Sequence, residues 1–379
     1  MGPAVEVRHA MTSSERFRAA LAGADMDRIP MYELVYWPKT LERWRREGLP
    51  ASVMPQDYFQ LDQAGFFAYD GSLGIPGGVI EADAATKTTR DGDGVYYKES
   101  TVEYSTPTFV RATINTWEDW QQYRGRLSAK WQRMPVQMEF EAITGLATGC
   151  ATMDEYYRRC KAEGRFTVLS PIDPIWYALR VMGEGQSLMA IAAEPEFIQE
   201  IVEDYARFNE GMLRLLLDRG YRFDAVWVFS DLCYKNGMLF SPRFFRQRVL
   251  PTFRRYVALC HEAGSKFIFH CDGDVTKLIP LLIEAGVDCI QPLEARAGND
   301  LRALVPSYGD RLSFMGNINA DVLSGSPEMI EAEIREKLSC VVPSRRYLFH
   351  SDHSIPPGVS FKNYVFALEL ARKYGSYRP

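Results

Sequence analysis

From about residue 160 onward the chain repeats one pattern, a short apolar run without alternation followed by an amphipathic helical stretch. FTVLS at 166–170 precedes PEFIQEIVEDYARFNEGMLRLLLDRG, and FDAVWVFS at 223–230 precedes PRFFRQRVLPTFRRYVALCHEAG. KFIFH, DCIQP, LSFMG and YLFHS each lead into a further helical segment. A strand that is apolar on both faces must be covered on both, which predicts a parallel sheet flanked by helices. About six such units in succession predict a closed (β/α)8 TIM barrel rather than an open doubly wound sheet. No GxGxxG follows a strand, which argues against a dinucleotide fold. Within the second long helix, Pro251 should kink or break the run.

The first part of the chain is mixed and predicts an N-terminal helical and β-hairpin extension to the barrel. SSERFRAALAG reads as a helix capped at Ser13 or Ser14, with Phe17 and Leu21 four residues apart on one face. MYELVYW reads as a short strand and TLERWRREG as a helix closed by Gly48. Alternation through residues 78–105, with a DGDG turn, predicts a hairpin. The chain is therefore expected to be a single domain, 1–379, with an insertion at about 75–110.

With 379 residues, 46% of them hydrophobic, the chain can bury a large core. Its net charge is −5 and it has no basic block or stripe, which argues against nucleic acid and anionic membranes as partners. The opening MGPAVEVRHAMTSSERF has no apolar targeting core, and no apolar run approaches spanning length. A cytoplasmic protein is expected. Seven cysteines without a CxxC pair fit reduced thiols rather than a disulfide framework.

In a TIM barrel the chemistry sits at the carboxyl ends of the strands. Those ends are polar here: Asp231, His270-Cys271-Asp272, Gln291 with Glu294, Asn317, and His350 to His353. Three of the five histidines fall in two of these endings; His9 and His261 do not, and no function is assigned to them. Alternate strand residues share a face, so His270 and Asp272 can converge on the barrel axis while Cys271 turns toward the helices. That spacing suits two metal ligands or a histidine with its orienting carboxylate, and equally a solvated strand end. Glu294 is a carboxylate ligand or base, or a salt-bridge partner of Arg296 or Arg302. Asp231 is a pocket carboxylate or a turn cap. Tyr32, Tyr36, Trp37 and Trp176 line an aromatic pocket or belong to the core.

Taken in order, SSERFRAALAGADMDRIPMYE, KNGMLFSPRFFRQRVLPTFRR, KFIFHCDGDV, PLEARAG and HSDHSIPPGVSFKNY resemble the uroporphyrinogen decarboxylase superfamily over nearly the whole chain. Within it the sequence looks closer to the corrinoid-linked methyltransferases. The decarboxylases carry an arginine-rich segment of the form MRQAGR that grips the porphyrinogen carboxylates. The equivalent stretch here, YELVYWPKT, has no arginine and is aromatic. The methyltransferases hold zinc through an H-x-C-G strand end and a later cysteine. Laid on this chain, Asp272 takes the place of the first cysteine, and the second falls at or next to His353.

The resemblance thus implies a zinc site drawn from His270, Asp272, Glu294 and His353, harder and less negative than a thiolate site. It implies methyl transfer from a methoxylated aromatic substrate to the Co(I) corrinoid of a partner protein, with Asp231, His270, Glu294 and His353 as catalytic residues. Asn317 and the aromatic residues above would meet the substrate. The corrinoid must come from the partner, because the D-x-H-x-x-G signature of a corrinoid-binding domain is absent. Two alternatives stand beside this reading. One is a metal-free decarboxylase-like lyase using Asp231 and His353 as acid and base; the other is a non-catalytic ligand-binding barrel.

Overall fold

Parallel strands joined by helices, the arrangement that the apolar runs call for, form the framework of this computed structural model. It describes residues 10–102, 106–134, 149–150 and 152–377; His9 lies outside them. The fold is α/β and TIM-barrel-like, with a parallel sheet of seven strands among the described residues against the eight expected. Contacts divide the chain into two units. One comprises Met1–Phe67, Val136–Val168 and Asp288–Pro379; the other comprises Ala68–Pro135 and Leu169–Val287. Among the described residues no helix is long and apolar enough to cross a membrane.

In the first unit the opening helix is Ser13–Ala22, capped one residue earlier than expected. Thr12 accepts from Glu15 N–H while the Glu15 carboxylate reaches back to Thr12, a complete capping box. Phe17 and Leu21 are buried on its inner face. MYELVYW is not a continuous strand. It makes two isolated parallel bridges, Met31 with Phe349 and Tyr36 with Ile355. The strands Cys289–Pro292, Ser313–Met315 and Tyr347–Leu348 pair in parallel, in that order. All nine of their residues are buried, as expected for strands covered on both faces.

In the second unit Ala225–Phe229 pairs in parallel with Lys266–Cys271, Phe229 opposite His270. Asp173 caps the helix Pro174–Met182, with proline at the first helical position. The irregularity near Pro251 is a π-helical turn, Phe245–Val249, running directly into the α-helix Leu250–Glu262. Proline lacks an N–H and crowds the carbonyl four residues back, and the wider turn relieves both conflicts. Residues 78–111 form more than a hairpin. Gly78–Ala82, Thr86–Arg90, Tyr96–Ser100 and Thr108–Arg111 make a four-stranded antiparallel sheet in chain order. Its DGDG turn is set by Asp91, whose carboxylate accepts the N–H groups of Asp93 and Val95. Asp93 is buried and binds the Tyr177 hydroxyl at 3.0 Å and Arg180 at 2.6 Å, fastening that turn to the helix Pro174–Met182.

Candidate functional site

The second unit gathers Asp231, His270 and Asp272. Side chains alternate along the strand Lys266–Cys271, so His270 and Asp272 share a face. Phe229 pairs with His270, so Asp231, two residues beyond Phe229, comes level with Asp272, two beyond His270. His270 Nε2 lies 3.5 Å from Asp231 Oδ1 and 3.9 Å from Asp272 Oδ1. One donor atom from each of the three lies within 4.8 Å of the others. The imidazole packs against the Phe229 ring at 4.8 Å between centroids. The side chains are 14% exposed for His270, 44% for Asp231 and 35% for Asp272, and Asp272 Oδ1, the atom facing the imidazole, is itself buried.

Cys271 points the other way and is fully buried. Burial, with Cys233 beside it, pushes its thiol well above the ordinary range, so it stays protonated. The turn after it is held tightly: Asp274 N–H donates to Tyr234 O at 3.0 Å. Gly273 has φ +83°, and a Cβ there would lie 2.8 Å from the backbone of Cys233. Only glycine fits that position without moving the strand end.

Behind Asp231 stands Asp173, which the sequence reading passed over. It is buried, accepts Ile175 and Trp176 N–H at 3.0 Å each, and accepts the Ser230 hydroxyl at 3.0 Å. Burial pushes its carboxyl up to about 6, against those three hydrogen bonds. The signal was present in SPIDP, because Asp-Pro before a helical run marks an N-cap. Trp176 lies in the first turn of that helix, half-buried.

Glu294, Asn317 and His353 lie in the first unit, as do Tyr32, Tyr36 and Trp37. Glu294 is half-buried and His353 exposed, with Nδ1 accepting Ser354 N–H at 2.9 Å. Asn317 is buried and donates to Leu293 O at 2.7 Å and Asn299 O at 2.9 Å, bracing two chain segments. Tyr32 and Tyr36 are buried, Tyr32 edge-on to Phe17 and Tyr36 against Trp44 and Tyr364; Trp37 is half-buried. His350 is held between backbone groups: Nε2 accepts Leu34 N–H at 3.1 Å and Nδ1 meets Ser351 O at 2.5 Å. That pairing fixes a neutral Nδ1–H tautomer.

Glu33, also passed over in the sequence, is buried beside them, 2.7 Å from the Ser351 hydroxyl and 3.3 Å from His350 Nε2. Burial pushes its carboxyl up to about 8, against its bonds to Ser351 and Leu34. No sequence pattern could have marked it, since a lone glutamate in an aromatic run has no periodic signature.

Comparison with known proteins places this geometry in context. The family model described as uroporphyrinogen decarboxylase (URO-D) matches residues 159–374. The uroporphyrinogen decarboxylase of Syntrophotalea carbinolica is 24% identical over 199 residues, covering 51% of this chain and 55% of that protein. That of Synechococcus sp. is 25% identical over 207 residues, covering 52% and 55%. The chain thus spans about half the length of these curated relatives. Among solved structures, a methyltransferase from Methanosarcina mazei superposes with a TM-score of 0.60 at 14% identity, covering 96% of this chain and 98% of that one. That likeness is one of fold.

Proposed function

The chain belongs to the uroporphyrinogen decarboxylase family, and from that premise we propose that it is a methyltransferase acting on a methoxylated aromatic substrate. The methyl acceptor in this reading is the Co(I) corrinoid of a partner protein. The observation that carries it is the donor set of Asp231, His270 and Asp272, one imidazole and two carboxylates gathered at adjacent strand ends. Three protein donors, with no fourth gathered beside them among the described residues, suit a catalytic rather than a structural metal site, so zinc fits the residues present. Zinc bound there would supply Lewis acidity toward an ether oxygen, and oxygen and nitrogen donors leave it more acidic than thiolates would.

The chain's own residues divide the remaining work. Asp231, His270 and Asp272 would hold the ion and orient the ether oxygen, and their partial exposure leaves room for substrate. Trp176, half-buried in the same unit, would offer an aromatic face to the ring. Glu294 and His353 are proposed as a further carboxylate and imidazole of the reaction. Methyl transfer breaks the carbon–oxygen bond and leaves its electron pair on oxygen, so stabilising that oxygen is the main demand on the protein. The fold likeness to a methyltransferase and the absence of arginine from YELVYWPKT support this reading over a porphyrinogen substrate.

The test is metal content and turnover together. Protein purified without chelator should carry about one zinc per chain, lose it in His270→Ala and Asp272→Ala, and release a phenol from a methoxyarene when a reduced corrinoid protein is supplied. Metal-free protein whose variants bind substrate unchanged would sink the zinc role. Carbon dioxide release from a carboxylated substrate without cobalt would establish a lyase instead.

A further inference from the structure

In the first unit, three consecutive residues around Glu294 are each fixed through the backbone by a different buried side chain. Asn317 Nδ2 donates to Leu293 O at 2.7 Å, Asn299 Nδ2 donates to Glu294 O at 2.8 Å, and Ala295 N–H donates to Asp352 Oδ2 at 3.0 Å. Asn317, Asn299 and Asp352 are each no more than 5% exposed. The other oxygen of Asp352 accepts Ala320 N–H at 2.9 Å, and its own N–H donates to Ile318 O at 2.7 Å. One buried carboxylate therefore joins three strand-end loops: 293–295, 318–320 and 351–353.

Such pinning exceeds what a surface loop needs in order to stay folded. Leu293 has φ +58°, a left-handed conformation that strains a bulky L-residue. The chain tolerates that strain immediately before Glu294, whose side chain is half-buried. A carboxylate meant only for solvation has no use for a fixed origin, whereas one that must meet a reacting group gains directly from it.

We propose that Asp352 is a positioning residue for Glu294, acting with Asn317 and Asn299 to fix where that carboxylate points. This rests on the reading of Glu294 as a working carboxylate of the enzyme. Asp352 would touch neither substrate nor ion. As a carboxylate it accepts from two separate loops with both oxygens, and asparagine, with one oxygen and one NH2, could satisfy only one of them. Asp352→Asn should therefore keep the packing and release one loop.

Two measurements test it, one of them independent of the reaction. In protein labelled with [13C]glutamate, the Glu294 carboxyl signal, assigned by its disappearance in Glu294→Gln, should shift or broaden in Asp352→Asn. Asn317→Ala should produce the same change, which covers the case in which Asp352→Asn fails to fold. In turnover, Asp352→Asn should lower kcat about tenfold to a hundredfold with little change in KM. The double variant Asp352→Asn/Glu294→Gln should be no slower than Glu294→Gln alone. A Glu294 signal unmoved in both loop variants overturns the proposal, as do kinetic losses that simply multiply. Wild-type protein with no methyl transfer would defeat the proposed function and leave the carboxyl signal to decide this inference.

Discussion

The Ser230 hydroxyl donates to the buried carboxylate of Asp173 at 3.0 Å, and Ser230 is the residue immediately before Asp231. Ser230 N–H also donates to His270 O at 3.1 Å. One serine thus ties the carboxylate that caps a helix to the two strand ends that carry Asp231 and His270.

Removing that hydroxyl should cost stability and metal affinity together. Ser230→Ala removes one of the three donors to Asp173 Oδ1 and leaves two backbone N–H groups on it, a loss of about 1 kcal/mol in urea unfolding. It also loosens the backbone next to Asp231, so zinc should bind more weakly in isothermal titration. Unchanged affinity would show that the strand end holds itself.

Asp173 should make the protein more stable in mild acid. Its carboxyl ionises at about 6 in the folded protein against an ordinary value of 3.8. Between about pH 4 and 6 the folded form therefore binds more protons than the unfolded chain, and stability falls as pH rises through that window. Asp173→Asn should flatten this part of the stability profile. A wild-type profile identical in slope to that of the variant would contradict the assignment.

Glu33 makes a parallel case across a wider range. The Ser351 hydroxyl donates to Glu33 Oε1 at 2.7 Å and Ser351 N–H donates to Oε2 at 3.3 Å, yet burial outweighs these bonds and pushes the carboxyl up to about 8 from 4.5. Stability should decline as pH rises across that interval. Glu33→Gln, which keeps an amide oxygen to accept from Ser351, should be the more stable protein at about pH 9 and differ little from wild type at about pH 4.

Neighbouring substitutions in FHCDGD should behave oppositely. Asp272→Ala should weaken zinc binding at least about tenfold, whereas Cys271→Ala should keep the metal and lose only packing, at about 1 kcal/mol. Metal lost from Cys271→Ala, with the fold intact by circular dichroism, would mean that the thiol turns into the site.

Gly273→Ala should disturb the site without touching a donor. The added Cβ would press on the Cys233 backbone from a left-handed residue, at about 1–2 kcal/mol. Thermal unfolding should register that cost, and zinc affinity should drop because Asp272 immediately precedes Gly273 and His270 lies at the end of the strand that leads into this turn. Wild-type affinity would indicate that the short antiparallel pair of Cys233–Tyr234 with Gly237–Met238, against which the added Cβ presses, yields instead.

The amino-acid order determined the parallel α/β framework, because a strand covered on both faces must be apolar throughout and each helix must carry one apolar face. It determined the split of FHCDGD as well: alternation along an extended chain sends His270 and Asp272 one way and Cys271 the other. The opening helix and the DGDG turn were legible for the same reason, since caps and turns are made by residues a few positions apart. What remained hidden depends on register and burial, which bring distant residues together. Asp231 comes level with Asp272 only because Phe229 pairs with His270. Glu33 takes up a proton only because the fold closes around it, 318 positions from Ser351. Asp352 braces Glu294 across a gap of 57 residues to Ala295. Local spacing sets which side chains share a face; pairing between strands and the loss of water around a buried carboxyl are decided by the tertiary structure alone.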